Sequence, residues 1–315
     1  MELSYWKNLK IGVFMGGPSS EHDISLKSGR AVFSALRELG LKAIPVILPR
    51  DLEWWNDSLE GLFKELLEEA EIDVVFNALH GNFGEDGKFQ KILENLGFPY
   101  TGSDSRASYL GMDKIESRKV FEKAGIPVPR YKILENSKFD TIEFSYPCVV
   151  KPARGGSSIG VSIVEKEEDL HKAIDLAFTY DRKVIIEEYI EGKEVTVAIL
   201  GDKALPLIQI IPRRKFYSYE AKYKDKETCY LLPAPIRKDL QEKAQTVAKK
   251  AHCVLGCRGF SRVDMILNKE GVPVVLEINT IPGLTSRSLL PKAAQAENIS
   301  FPQLCLKILE SALAK

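Results

Sequence analysis

Short apolar runs alternate with amphipathic stretches over the first hundred residues. Residues 10–15 read as an apolar strand ending in Gly16-Gly17-Pro18-Ser19-Ser20, and residues 21–39 then carry helical periodicity that stops before Gly40. A strand over 43–48, a helix over 59–70 and a continuous apolar run over 72–79 follow. That last run has the character of a strand buried on both faces of a parallel sheet. A helix to Leu96 and a further strand over 97–102 complete the unit. The alternation predicts an open parallel α/β domain, whose ligands gather at the carboxyl ends of the strands, where Glu21 and His80 fall.

Beyond residue 103 the pattern changes. A short helix over 113–124 is closed by Gly125-Ile126-Pro127-Val128-Pro129, and a strand over 146–153 runs into a glycine-rich loop, Arg154 to Gly160, from which 161–164 returns. A helix over 167–178 and a strand over 183–190 come next, broken at 191–193 before another strand over 195–200. Residues 213–233 have no usable period and interleave Tyr217, Tyr219, Tyr223 and Tyr230 with Lys215, Lys222, Lys224 and Lys226. A stretch of that length inside a compact protein is expected to be a lid or binding loop. Its aromatic and basic residues also suit single-stranded nucleic acid, or a plain basic surface segment. Amphipathic helices follow over 239–252 and 301–314. The division expected is 1–103, 104–191 and 192–315, with the lid in the last unit.

Two β-branched runs, Arg262 to Leu267 and Val272 to Asn279, flank a turn and predict a hairpin. With its tip at Glu270-Gly271, Asp264 faces Glu277 and Arg262 faces Asn279 on one face. Like charges placed opposite each other are destabilising, and neither run offers a basic group besides Arg262. The pair therefore calls for a cation. Magnesium suits it, since that ion binds one or two carboxylates together with substrate phosphates; Asn279 adds an oxygen.

Composition narrows the class without naming a chemistry. In 315 residues, 44% hydrophobic and 28% charged, 44 Lys and Arg balance 44 Asp and Glu, so no global field draws nucleic acid or an anionic membrane. Five cysteines, Cys148, Cys229, Cys253, Cys257 and Cys305, stand without metal or disulfide spacing, and no secretory leader or membrane-length apolar run is evident. The expected compartment is the cytoplasm.

The loop Lys151-Pro152-Ala153-Arg154-Gly155-Gly156-Ser157-Ser158-Ile159-Gly160 offers backbone N–H groups, two hydroxyls and an upstream ammonium, which together suit a phosphate. It is not a Walker loop, because no Lys-Ser/Thr follows its last glycine. Read singly, Lys114 is a surface lysine, His80 a sheet-end histidine and Glu21 a carboxylate favoured by a helix N-terminus. Acids on a neighbouring strand, Glu187 and Glu194, suit a base or a ribose. Together these pieces imply a nucleoside triphosphate.

The arrangement resembles the ATP-grasp superfamily, an N-terminal open parallel α/β domain followed by two α+β domains clamping the nucleotide. Within it, the segments 17–29, 79–87, 100–103, 112–114, 151–160, 219–223, 262–264 and 277–285, in order along nearly the whole chain, are similar to those of D-alanine-D-alanine ligases. The resemblance implies an acyl-phosphate mechanism using ATP and two Mg²⁺ (or Mn²⁺) to join two D-alanines for peptidoglycan precursor synthesis. By the same resemblance Lys114 and Lys151 hold phosphates, with Ser157 and Ser158 closing over them and Lys222 reaching in from the lid. Glu187, Glu188, Tyr189 and Ile190 meet adenine, largely through backbone, and Glu194 the ribose. Asp264, Glu277 and Asn279 bind metal. Glu21 takes the first ammonium, His80 the neighbouring carboxyl, and Ser157 and Tyr223 link loop to lid. Arg262 and the Gly283 amide face the oxyanion, and Ser288 and the Leu289 amide the second carboxylate. The resemblance also implies a homodimer through the first domain, and no nucleic-acid or membrane partner.

Three positions depart from the pattern: Tyr189 where tryptophan is common, Arg287 where histidine is frequent, and the loose pair Gly155-Gly156. A ligase joining D-alanine to D-lactate or D-serine is the nearest rival, and Tyr223 argues against it. A regulatory module that closes on ATP without turnover is the other, and it has no need of Arg262 facing an oxyanion.

Overall fold

The computed structural model describes residues 3–51, 59–137, 144–211 and 228–313. After a helical turn α1 (Leu3–Trp6), the apolar strand β1 (Lys10–Gly16) is buried from its second residue onward. It is the central strand of a parallel sheet, and its alternate side chains enter different cores. Ile11, Val13 and Met15 pack with Val32, Ala35 and Leu36 of α2 (His22–Glu38), whereas Phe14 packs with Phe63 and Phe89. Period-two alternation inside an apolar run explains how one strand serves both sides. Buried positions of α2 recur at His22, Ser25, Ser28, Gly29, Val32, Ala35 and Leu36, one stripe of a 3.6-residue helix.

The chain continues through β2 (Lys42–Leu48), α3 (Leu59–Glu69), β3 (Val74–Asn77) and α4 (Lys88–Leu96). The sheet order is β2-β1-β3, so the chain leaves β1 on one side and returns on the other. The crevice between the carboxyl ends of β1 and β3 is thereby a topological switch point. The further strand expected over 97–102 is only a single bridge, Val75 to Tyr100. Gly97 turns the chain in the left-handed region, and Pro99 has no N–H for a longer ladder.

Two capped helices follow, α5 (Ser105–Met112) and α6 (Lys114–Lys123). Asp104 caps the first, and Asp113 accepts from Ile115 N and Glu116 N of the second. An antiparallel sheet of order β4-β7-β5-β6 is then built from β4 (Tyr131–Leu134), β5 (Cys148–Pro152), β6 (Ser162–Val164) and, after α7 (Leu170–Phe178), β7 (Val184–Glu188). Between β5 and β6 lies the glycine-rich flap. As expected from its flanking strands, it is a hairpin connection.

The last sheet, of order β11-β10-β8-β12-β13, comprises β8 (Gly192–Leu200), with β9 (Lys203–Ala204) at its side, β10 (Ile208–Ile211), β11 (Cys229–Leu231), β12 (Phe260–Asn268) and β13 (Pro273–Asn279). Most of the expected lid lies outside the described residues, and its far end is the strand β11, paired to β10, where a loop is expected through residue 233. The helices α8 (Lys238–Leu255), α9 (Leu289–Ala296) and α10 (Phe301–Glu310) cover the sheet and reach back to the first. One apolar cluster runs from Ile11 and Val32 through Phe260 to Leu290 and Ile308. This mixture of one parallel and two antiparallel sheets is the α/β and α+β class expected from the sequence.

Candidate active site

The β12-β13 hairpin brings Asp264 opposite Glu277 and Arg262 opposite Asn279, the pairing expected, although the turn differs. Asn268 N bonds Val272 O and Gly271 adopts φ 73°, so the loop holds three residues rather than two. Near the tip the pairs are Met265 with Val275 and Leu267 with Pro273. A bulge between Asp264 and Met265 takes up the extra residue and restores the register at the acids.

Each acid already has a cation beside it. Arg262 donates from Nε to Asp264 Oδ1 at 2.9 Å and from Nη2 to Oδ2 at 2.7 Å, while Thr196 Oγ1 donates to Oδ1 at 2.6 Å. Glu277 Oε2 lies 3.4 Å from the Lys114 ammonium, brought in by α6. The cation that the facing acids call for is thus supplied in part by the chain itself: Lys114, remote in sequence, neutralises one of them. The donor set nevertheless fits a hard divalent cation. Asn279 turns its Nδ2 to Asp264 at 3.1 Å, and its amide oxygen adds a hard donor to the two carboxylates of the hairpin. Among the described residues no group of three or more His, Cys, Asp or Glu is placed to hold a metal, so phosphate oxygens would have to complete the shell.

Lys114 opens α6, where a positive charge is unfavourable to the helix dipole. Its ammonium donates to Gly155 O at 2.7 Å, tying the flap to the hairpin acids. The flap base is held as well by Arg154, whose Nε donates to Asp113 Oδ2 at 2.8 Å. Ser157 and Ser158 both adopt left-handed φ, 55° and 58°, and the Ser157 hydroxyl donates to Glu21 Oε1. Lys151 is buried against Glu187, and burial pushes its pKa down to about 8, helped by the charges of Arg118 and Lys114 and opposed by Glu187. Burial acts to raise the Glu187 pKa, but Arg118 and Lys151 outweigh it and hold the group below the usual carboxylate range. Expected to meet adenine largely through backbone, Glu187 thus spends its carboxylate on two buried cations.

Two cavities meet at this hairpin. One, of about 500 Å³, is lined by Lys114, Lys151, Ser158, Glu187, Glu188, Tyr189, Ile190, Glu194, Asp264 and Glu277. The other, of about 1160 Å³, is lined by Glu21, His80, Ser157, Arg262, Asn279, Gly283, Ser288 and Leu289, with Arg287 at its edge. Gly156 borders both. Every site residue expected from sequence falls in one or the other, except Lys222 and Tyr223, which lie outside the described residues.

In the larger cavity Glu21 stands at the N-cap of α2, yet its side chain makes no capping bond and turns to Ser157 instead. His80 is fixed by contacts of Nε2 with Ser28 Oγ at 2.8 Å and of Nδ1 with Ile281 O at 3.1 Å. Its Nδ1 lies 4.0 Å from Glu85 Oε1. Burial disfavours the imidazolium, but Glu85 and Glu21 outweigh it and raise the pKa; burial also raises that of Glu85, so this corner favours holding a proton. The loop 281–288 is closed by Ser288 Oγ, which accepts from Thr285 N at 3.1 Å. Leu289 then begins α9, where first-turn amides have no helical acceptor and suit an anion.

Sequence reading missed Ser28, Glu85, Arg118 and Thr196. The first two lie inside motifs already singled out. Arg118 stands four residues after Lys114, on the same face of α6. Nothing in the strand pattern distinguishes Thr196.

The family model for the D-ala D-ala ligase N-terminus matches residues 10–68 and 60–103, and that for the D-ala D-ala ligase C-terminus matches 120–310. A D-alanine--D-alanine ligase of Geotalea uraniireducens is 43% identical, covering 100% of this chain and 99% of that protein. A D-alanine--D-alanine ligase B of Chromobacterium violaceum is 44% identical over 96% and 97%. Among solved structures, the D-alanine--D-alanine ligase of Bacillus anthracis complexed with ATP superposes with TM-score 0.82 at 34% identity, covering 97% of this chain and 98% of that one. The VanG D-Ala:D-Ser ligase of Enterococcus faecalis gives 0.81 at 32%, covering 97% and 99%. No helix among the described residues is long and apolar enough to cross a membrane. With family models matched across both halves and relatives above 40% identity end to end, the chain belongs to the D-alanine-D-alanine ligase family.

Proposed function

We infer that the chain is an ATP-dependent ligase that joins two D-alanine molecules into D-alanyl-D-alanine, releasing ADP and phosphate, for peptidoglycan precursor synthesis. The observation that carries this is the shared wall. One hairpin face turns Asp264 and Glu277 toward the smaller cavity and Arg262 and Asn279 toward the larger. A γ-phosphate in the first then abuts a carboxylate in the second, which is the juxtaposition phosphoryl transfer to an amino acid requires.

In this reading Lys114, Lys151 and the Ser157-Ser158 flap hold the triphosphate, with Lys222 closing from the lid. Adenine lies along Glu187, Glu188, Tyr189 and Ile190, and the ribose at Glu194. Asp264, Glu277 and Asn279 would hold two Mg²⁺ (or Mn²⁺), which supply charge neutralisation to the phosphoryl group when bound. Glu21 holds the ammonium of the first D-alanine, with Ser157 and Tyr223 linking flap to lid around it and His80 beside the carboxyl. A carboxylate oxygen of that D-alanine attacks the γ-phosphorus and ADP leaves, giving an acyl phosphate. The amine of the second D-alanine, its carboxylate on Ser288 and the Leu289 amide, attacks the acyl carbon. Arg262 and the Gly283 amide stabilise the oxyanion, and phosphate departs as the amide forms. Water must be excluded meanwhile, since an acyl phosphate hydrolyses. Three units (1–103, 104–191 and 192–315), a homodimer through the first of them and a cytoplasmic location complete the proposal, on the resemblance alone.

The solved D-Ala:D-Ser ligase keeps a D-serine acceptor in play. Incubation with ATP, Mg²⁺ and D-alanine, alone and with D-serine or D-lactate, followed by phosphate release and product mass, decides. Dipeptide from D-alanine alone is expected. Preferential incorporation of D-serine or D-lactate, or no turnover, would overturn the assignment.

A further inference from the structure

Arg118 is 1% exposed and lies behind the wall of the nucleotide cavity rather than in it. Its Nη2 donates to Glu187 Oε2, and Glu187 Oε1 pairs with the Lys151 ammonium, which does line the cavity. The guanidinium stacks 4.9 Å from the Tyr131 ring centroid, while Nε and Nη1 have no hydrogen-bond partner among the described residues. Each such buried donor left unsatisfied is destabilising. Buried ion pairs can also be exchanged for apolar side chains without loss of stability. The Arg118–Glu187 pair, taken whole, is therefore one that folding alone does not require.

Its connections supply a reason for it. A carboxylate rotates freely about its terminal torsion, and a lysine stem is flexible. The row Arg118, Glu187, Lys151 removes both freedoms and leaves one net positive charge facing the cavity. Lys114, one turn earlier on α6, reaches the same cavity, so a single helix sets both ammonium groups, one directly and one by relay. We propose that Arg118 is a positioning residue for the nucleotide, fixing the Glu187 carboxylate and through it the Lys151 ammonium against the phosphates. This rests on the nucleotide reading of the smaller cavity given above.

Calorimetric titration with Mg-ADP of the wild type, Arg118→Met, Arg118→Lys, Glu187→Gln and the Arg118→Met/Glu187→Gln double variant tests it. Steady-state constants and unfolding temperatures accompany the titration. Arg118→Met should weaken ADP by about tenfold or more, the worth of one hydrogen bond to a charged group. The KM for ATP should rise with it and the KM for D-alanine should not, while the unfolding temperature falls, because Glu187 keeps only Lys151 of its two buried cations. Arg118→Lys should recover most of the affinity, because only one N–H reaches Glu187. In the Glu187→Gln background, Arg118→Met should add less than about threefold, as expected of residues acting in series. Losses that multiply, or ADP affinity within about twofold of wild type in Arg118→Met, would overturn the relay. A wild type that binds ADP without ligating D-alanine removes only the ligase reading; one that does not bind ADP removes the relay as well.

Discussion

The Ser157 hydroxyl donates to the Glu21 carboxylate across 136 positions of sequence, joining the glycine-rich flap to the first helix of the parallel-sheet unit. That bond sets the carboxylate proposed to hold the first ammonium, so Ser157→Ala should act on D-alanine before ATP. A hydrogen bond to a charged group is worth about 1.5–3 kcal/mol, hence a fall of roughly 10- to 100-fold in kcat/KM for D-alanine. Ser157→Gly relieves the left-handed φ of 55° yet should lose as much. Were glycine to restore activity, backbone strain rather than the hydroxyl would be the important feature.

Arg262 and Glu277 should separate catalysis from stability. Glu277 is partly exposed and Lys114 remains beside it, so Glu277→Gln should lower kcat by at least about 100-fold with little change in unfolding temperature. Arg262→Ala should lose as much kcat and also lower the unfolding temperature, since it strips both guanidinium bonds from buried Asp264. Near-normal turnover in either variant would retire the assigned roles.

What the sequence makes legible here is what local pattern encodes. The burial of β1, the stripe of α2 and the facing pair Asp264 and Glu277 all follow from period and turn chemistry. The register at the acids follows from the strand pattern even though the turn is one residue longer than the pattern implies, because the bulge offsets the longer loop. Contacts between distant segments are not written in any period. Lys114 beside Glu277, Arg118 on Glu187 and Thr196 on Asp264 depend on how α6, β7 and β8 stack, which no single window of sequence contains.

Gly29 tests how tightly the first unit seats Glu21. A Cβ at this position would lie 2.4 Å from the Met15 Cβ, so α2 can approach β1 only with glycine there. Alanine gains up to about 1 kcal/mol of helix propensity. It meets an overpacking cost of about 1–3 kcal/mol or more, because a Cβ-to-Cβ clash has no flexible end to give way. Gly29→Ala should therefore lower the unfolding temperature; an increase would mean that the helix shifts without penalty.

Lys151 gives ATP use a pH dependence whose sign can be worked out. Burial, with Arg118 and Lys114, pushes its pKa down to about 8, against the pull of Glu187. Below that pH the ammonium is charged and can hold phosphate; above it the charge is lost. Since kcat/KM reports the free enzyme, kcat/KM for ATP should fall as pH rises past about 8, while kcat persists higher because bound phosphate favours the charged form. The contribution to folding runs the other way. Between about 8 and the ordinary 10.5, the unfolded chain holds a proton that the folded protein has released, so this group's share of stability rises with pH. A decline in ATP use over that window thus cannot be charged to Lys151 unfolding the protein. Parallel measurement of kcat/KM and unfolding temperature checks both signs, and a kcat/KM for ATP that stays flat from about pH 7 to about pH 9.5 would remove Lys151 from the phosphate site.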